Sequence, residues 1–268
     1  MTQLEKYYNK FHEEHRLQTR HGTVEFTTTF AAILETIERY KQENNITDKD
    51  LRLADIGAGT GRYSVELCHK GYDMTAVELV PHNLEILRNK HENIKTWQGN
   101  AMDLHFLKNN TFDITLLFGP LYHLHGDDNK AKALKEAKRI TKPGGYILVA
   151  YVMNEYSVIT YCFRQHKWKE VNEKKGLTED FHTLCTEEDL YDYVRLEDIN
   201  RINSLAQLER IKIISADGPA DYMRRELNEM SEEEFQAFIK FHLANCERQE
   251  LVGAGSHTVD ILKKTEDS

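Results

Sequence analysis

The residues best suited to chemistry gather in Asp55-Ile56-Gly57-Ala58-Gly59-Thr60-Gly61-Arg62-Tyr63. Glycine at 57, 59 and 61 permits positive φ and lets the main chain close on a bulky group with no side chain in between. The apolar run 51–56 precedes this stretch and the helix-forming run 63–70 follows it. Strand, glycine turn and helix together present backbone amides and a helix N-terminus to a cofactor. A dinucleotide fingerprint, G-x-G-x-x-G, needs glycine at position 62, where the chain carries Arg62; the spacing here is G-x-G-x-G with Asp55 just ahead. Glu78 stands 21 residues beyond Gly57, at the end of a second apolar run, 74–79. A carboxylate there can accept from both hydroxyls of a ribose.

A second group of interest is Phe118-Gly119-Pro120-Leu121-Tyr122-His123-Leu124-His125. Gly119 and Pro120 impose an irregular turn. Histidine titrates near neutrality and can take a proton from an attacking hydroxyl or ammonium group. His123 therefore reads either as a general base or as a packing residue beside a helix that starts near Asp127, and Tyr122 either as a pocket wall or as ordinary packing. His123 and His125 have no third ligand at a fixed offset, and His182 with Cys185 or His242 with Cys246 lack a C-x-x-C partner, so no metal site is expected.

The elements that must position these groups alternate. Strands are expected at 51–56, 74–79, 94–98, 112–118 and 146–152, with periodic helices between them, as in Leu84, Ile86, Leu87 or Ala131, Leu134, Ala137, Ile140. That order makes a parallel, doubly wound sheet whose ligands bind beyond the carboxyl ends of the strands. Ahead of it, Val24, Phe26, Phe30, Ile33, Leu34 and Ile37 recur at helical spacing, so Val24–Tyr40 reads as an amphipathic helix. Arg20-His21-Gly22-Thr23 reads as a glycine-bearing link that lets a preceding helix, with Tyr7, Tyr8 and Phe11, move as a lid; those aromatics simply anchoring a terminal helix is the other reading. Beyond residue 153 the strand period stops. Two last strands at 210–215 and 258–263 flank a helix at 232–246.

At this point the glycine turn, Glu78 and the Pro143-Gly144-Gly145 turn resemble the class I S-adenosylmethionine-dependent methyltransferases. The resemblance implies a Rossmann-like, seven-stranded, mostly parallel doubly wound sheet, with S-adenosyl-L-methionine as cofactor and S-adenosyl-L-homocysteine as product. It places the adenine at Asn100 and Ala101, where family members have an acid or amide and a backbone donor, between neighbours such as Leu79 and Met102. The implied cofactor contacts are Asp55, Gly57, Ala58, Gly59, Gly61, Tyr63, Glu78, Leu79, Asn100, Ala101, Met102, Phe118 and Gly119. The transferable methyl would lie beside the end of strand four, next to Tyr122 and His123, the two expected catalytic residues. Asp103 is expected to cap a helix.

The family's usual insertion between strands five and six implies a helical substrate cap at 153–208; with the N-terminal helical lid expected at 1–45, this leaves a cofactor domain of 46–152 with 209–268. Substrate contacts are expected at Tyr8, Arg20, Tyr122, His125, Tyr151 and Asn154. The aromatics of the cap, Tyr156 to Tyr193, either face a small, partly apolar substrate or form the cap's own core. Arg20–Phe26, Gly119–Leu124 and Cys246–His257 further resemble a bacterial group of small-molecule-type class I methyltransferases whose substrate is unsettled. The expected reaction is methyl transfer to a small-molecule N or O nucleophile; RNA or protein methylation, and S-adenosylmethionine binding without catalysis, are the alternatives.

Composition sets bounds on these readings. The chain has 268 residues, 40% of them hydrophobic, and a formal charge of −9. Such a surface repels a phosphate backbone, and Gly119-Pro120-Leu121-Tyr122 stands where base-amino methyltransferases carry N-P-P-Y or D-P-P-Y, so nucleic acid is not an expected partner. The basic clusters at 130–142 and 167–175 are interleaved with acids and read as solvated helix faces. Cys68, Cys162, Cys185 and Cys246 form no disulfide framework, no apolar run approaches the ~18 residues of a membrane span, and the start, Met1-Thr2-Gln3-Leu4-Glu5-Lys6, is too polar for a signal peptide. A cytoplasmic setting is the expectation.

Overall fold

The computed structural model of the chain describes residues 19–265. Seven strands form one sheet in the order β3-β2-β1-β4-β5-β7-β6. They are β1 (Arg52–Ile56), β2 (Asp73–Glu78), β3 (Ile94–Gln98), β4 (Phe112–Leu117), β5 (Thr141–Val152), β6 (Glu209–Ser215) and β7 (His257–Lys263). β1 to β5 are parallel, and β7 inserts antiparallel to both β5 and β6. Every residue of β4 is buried, as a strand covered on both faces must be. The strand order reverses between β1 and β4, and the crevice above that reversal is where an open α/β sheet binds ligands.

The two faces are covered differently. α1 (Arg20–Asn44) and α2 (Arg62–His69) lie on one, where Ile33, Ile37, Leu53, Leu67, Ile114 and Leu148 share a core. α3 (Pro81–Arg88) follows β2. α4 (Asp127–Ile140) lies on the other face with a later helix, Leu196–Ala206, which is α7 below, around Leu134, Ala137, Ile147, Val149, Ile199 and Ile202.

α1 is longer than its apolar period suggests. Thr19 caps it by accepting from the Gly22 amide at 3.2 Å, and Asn45 closes it in the left-handed conformation at φ 51°. Residues 20–23 are therefore its first turn and not the glycine-bearing link expected there. Val24, Ile33 and Ile37 are wholly buried, each worth about 1.5–3 kcal/mol of transfer free energy. That fixes one face of α1 in the core; the preceding aromatics Tyr7, Tyr8 and Phe11, and with them the start of the expected lid, lie outside the described residues.

Between β5 and β6 come α5 (Asn154–Ser157), a π-helical turn (Val158–Arg164), α6 (Trp168–Glu173) and α7 (Leu196–Ala206). Polar bonds stitch this insertion together: Asn154 spans to the Phe181 carbonyl and the Thr183 amide, His182 meets Asp198, and Arg195 meets Glu155 and Asp180. Tyr161, Phe163, Trp168 and Phe181 are more than two-fifths exposed, so these four make no core of their own. α8 (Arg224–Glu229) and α9 (Glu232–Asn245) pack on the start of α1, where Val24 meets Leu227, Phe235 and Ile239. α10 (Gln249–Val252) precedes β7. Among the described residues no helix is long and apolar enough to cross a membrane.

Candidate active site

The glycine turn is fixed from three sides. The amides of Gly57 and Ala58 donate to the Val77 carbonyl at 2.8 and 3.1 Å, tying the turn to β2. Gly57 has φ +83°, and a Cβ there would stand 2.4 Å from Pro120 Cδ; Gly61 has φ +87°, and its Cβ would stand 2.3 Å from Leu87. Only glycine fits either position. Asp55, at the end of β1, accepts from Ser64 Oγ at 2.6 Å and so anchors α2. Burial raises its carboxyl to about 6, with the Glu78 charge adding to the rise.

Glu78 is held in a set direction. Its Oε2 accepts from the Gly59 amide at 2.8 Å and its Oε1 from the Val80 amide at 2.7 Å. Asn100 turns its Oδ1 back to the Met102 amide at 2.9 Å. Asp55, Gly57, Ala58, Gly59, Glu78, Leu79, Asn100 and Ala101 all line one cavity along the carboxyl edge of the sheet.

The cavity continues past the end of β4. Gly119 has φ +110°, and residues 120–123 make a 3-10 turn that brings Tyr122 and His123 to the wall. Tyr63 meets Phe118 edge-on at 5.2 Å and stacks on Phe26 at 5.3 Å. His123 stacks on Tyr191 at 5.1 Å, and its Nδ1 lies 2.8 Å from the Leu190 carbonyl, a contact only an N–H can make favourably. Burial pushes this imidazole down to about 4. The far wall comes from elements remote in sequence: Glu25 and Thr29 of α1, Ala150, Ala216, and His257 and Val259 of β7. Behind His257 stands the buried Asp217, whose Oδ2 is 2.9 Å from His257 Nδ1 and whose Oδ1 takes the amides of Ser256 and His257 at 3.0 and 3.1 Å.

Residues 54–149 match the methyltransferase domain family. The chain is 33% identical over 99 residues, 37% of its own length and 40% of the relative's, to a demethylmenaquinone methyltransferase of Renibacterium salmoninarum. It thus spans well under half the length of that relative. A SAM-dependent methyltransferase of Thermotoga maritima shares its fold over 98% of both chains, with a TM-score of 0.57 and 21% identity. A geranyl diphosphate C-methyltransferase of Streptomyces coelicolor, solved with S-adenosyl-L-homocysteine, has a TM-score of 0.53 at 13% identity over 82% of this chain and 74% of that one. Residues 54–149 thus belong to the methyltransferase domain family, and the fold around them is that of S-adenosylmethionine-dependent methyltransferases. S-adenosylmethionine is the cofactor that this domain family and fold imply. The residues present fit it: a glycine turn whose Gly57, Ala58 and Gly59 line the cavity, a carboxylate fixed at the end of β2, and Arg62 on the cavity wall with its Nε buried and without a hydrogen-bond partner.

Of the expected cofactor residues, Gly61 and Met102 do not line the cavity; Gly61 serves helix packing against Leu87, and Met102 packs into the opposite core. Asp103 caps no helix, because residues 101–111 form turns, and its Oδ1 bonds to the ring of His105 at 2.9 Å instead.

The expected substrate set is corrected more heavily. Tyr151 is wholly buried in the α4 face, because strand alternation turns its neighbour Ala150, and not Tyr151, toward the cavity. Asn154 is buried and tied to Phe181 and Thr183. Arg20 donates to the carbonyls of Leu227 and Met230, both at 2.7 Å, and holds α8 to α1. His125 lies off the lining, and Tyr8 lies outside the described residues. Of the described members of that set, Tyr122 alone lines the cavity. Arg62, Glu25, Thr29 and His257 line it without having been expected, and no residue of 153–208 does.

Proposed function

We propose that the protein transfers a methyl group from S-adenosylmethionine to a nitrogen or oxygen nucleophile of a small molecule. The observation that carries this is the continuity of one cavity from Glu78 and Asn100, past Gly119 and Tyr122, to Glu25 and His257. One end is built for a nucleoside and the other for a polar acceptor. S-adenosylmethionine supplies a methyl on a sulfonium, already a good leaving group, so the chain's task is alignment of the attacking atom. In this reading Glu78 takes the ribose hydroxyls, Asn100 and Ala101 the adenine, and Tyr63 with Phe118 and Gly119 confines the reacting end. Residues 153–208 act as the substrate cap of a domain formed by 46–152 and 209–268, reaching the site through Tyr191.

A charge of −9 disfavours RNA. The demethylmenaquinone relatives supply the second reading, a demethylmenaquinone-like acceptor. The test is incubation of the purified protein and methyl-labelled S-adenosylmethionine with small-molecule, RNA and protein fractions of a cell extract, and separately with demethylmenaquinone. Label is expected in the small-molecule fraction. Label confined to RNA or protein overturns the proposal.

A further inference from the structure

Three chain segments far apart in sequence converge at the end of the cavity away from Glu78. Glu25 comes from the second turn of α1, Asp217 from the loop after β6, and His257 from the first residue of β7. His257 Nδ1 is 2.9 Å from Asp217 Oδ2 and 3.7 Å from Glu25 Oε2. Asp217 is 3% exposed and Glu25 9%. Two carboxylates on one imidazole give this end of the cavity a negative field that favours a cationic ligand. Glu25 and His257 line the cavity, whereas Asp217 stands behind, held by the backbone amides of Ser256 and His257.

We propose that Glu25, Asp217 and His257 form the acceptor subsite and that the acceptor is an amine, taken up as its ammonium ion. This rests on the methyl-transfer reading above. Asp217 is a positioning residue: with Nδ1–H directed at its carboxylate, His257 keeps the tautomer whose Nε2 accepts a proton, and the carboxylate stabilises the imidazolium that forms. Glu25, one helical turn from Thr29 on the same cavity-facing side of α1, holds the cationic head. His257 takes one proton from the ammonium nitrogen, which frees its lone pair. That nitrogen forms the bond to the methyl carbon as the carbon–sulfur bond breaks, the pair staying on sulfur. The product is the N-methylammonium, and His257 returns its proton to solvent.

His123 suits this step less. Its imidazole is stacked on Tyr191, engaged at Nδ1 by Leu190, and pushed down to about 4 by burial, well below the pH at which an ammonium must be deprotonated. Among the described residues, the charged and titratable groups around His257 include Glu25 on α1, Asp217 and Asp221 after β6, His21 beside Asp221, and Tyr122 after β4.

The test follows label from methyl-tritiated S-adenosylmethionine into the small-molecule extract and determines the methylated atom by mass spectrometry, with protein dialysed against EDTA. The expected product is an N-methylamine made at an undiminished rate without metal. Against the acceptor so identified, Glu25→Gln should raise KM at least tenfold with kcat little changed. His257→Gln should lower kcat by about 10²-fold, and Asp217→Asn should shift the pH profile of kcat. All three should keep S-adenosylhomocysteine affinity within about threefold, which reports that they fold. An ether, thioether or C-methyl product overturns the proposal and leaves methyl transfer standing. Activity lost to EDTA and restored by Mg2+ or Mn2+ overturns it in favour of a metal held by the same three side chains. Absence of any transfer by protein that binds the cofactor overturns the methyl-transfer reading, and this one with it.

Discussion

Gly57 and Pro120 press against each other where the sheet's order reverses, so closely that a single Cβ on Gly57 would lie 2.4 Å from the proline ring. The turn after β1 and the turn after β4 are thus one packed unit. Gly57→Ala should cost about 1–2 kcal/mol for a left-handed alanine and about 1–3 kcal/mol more for displacing Pro120. Urea unfolding measures the sum. Calorimetry should show S-adenosylhomocysteine affinity falling with it, since Gly119 and Tyr122 move when Pro120 does. Wild-type stability in this variant would contradict the packing.

Glu78 and Arg62 make separable predictions for the cofactor. In the proposed reading Glu78→Ala removes the acceptor for ribose, and it leaves the Gly59 and Val80 amides without their partner, a loss of about 1–3 kcal/mol per group. Affinity should fall at least tenfold, and stability with it. Arg62→Ala, by contrast, removes a guanidinium whose Nε is buried on the cavity wall. Its binding loss, about tenfold, should vanish for a decarboxylated S-adenosylmethionine analogue if Arg62 pairs with the methionyl carboxylate. An equal loss for both ligands would assign Arg62 to packing on Phe26, over whose ring it sits at 4.2 Å.

How much of this was readable in advance depended on distance along the chain. The glycine turn and Glu78 belong to one βαβ unit, so spacing alone located them. Glu25, Asp217 and His257 come from three segments that share no local pattern; only the insertion of β7 between β5 and β6 brings His257 beside the cavity. Tyr151 was placed on the wrong face by a single step of the strand alternation. Gly22 resembled a hinge because a glycine weakens a helix, but Thr19 caps the turn and Val24 buries against Leu227 and Phe235. The insertion at 153–208 gave little period to read because polar bonds of Asn154, His182 and Arg195 secure it.

Asp55 and His123 should pull stability in opposite directions with pH. Asp55 titrates at about 6 when folded, above its unfolded value, so the folded state binds the extra proton and its contribution falls as pH rises from about 4 to 6. His123 titrates at about 4, below its unfolded value near 6.5, so the unfolded state binds the extra proton and its contribution is lost as pH falls from 6.5 to 4. Each amounts to about 3 kcal/mol across its window. In cofactor-free protein, urea unfolding from pH 4 to 7 should show Asp55→Asn gaining on wild type as pH rises. His123→Asn should gain as pH falls. Parallel curves for all three proteins would remove both assignments.

His123→Asn also bears on catalysis. If His257 carries the proton, this variant should keep the shape of the pH–kcat profile and lose mainly thermal stability, through the stack on Tyr191. A profile that changes with His123 and not with Asp217 would return the base to His123.

The insertion between β5 and β6 is joined to the site through Asp192. Its carboxylate pairs with Lys130, 1% exposed, and accepts from the Gly126 amide at 3.0 Å, while its own amide donates to the Tyr122 carbonyl at 2.8 Å. Asp192→Ala should cost about 3–5 kcal/mol, because it leaves a buried ammonium without its counter-charge and with the Leu124 carbonyl as acceptor. Lys130→Met with Asp192→Leu removes both charges and should recover most of that loss. The double variant still lacks an acceptor for Gly126, so hydrogen exchange at residues 124–126 should remain faster than in wild type, and methyl transfer should stay depressed despite restored stability. Full recovery of exchange and turnover would mean that the charge pair serves stability only. Persistent slow turnover in a stable protein would mean that Asp192 fixes the loop on which Tyr122 and His123 stand.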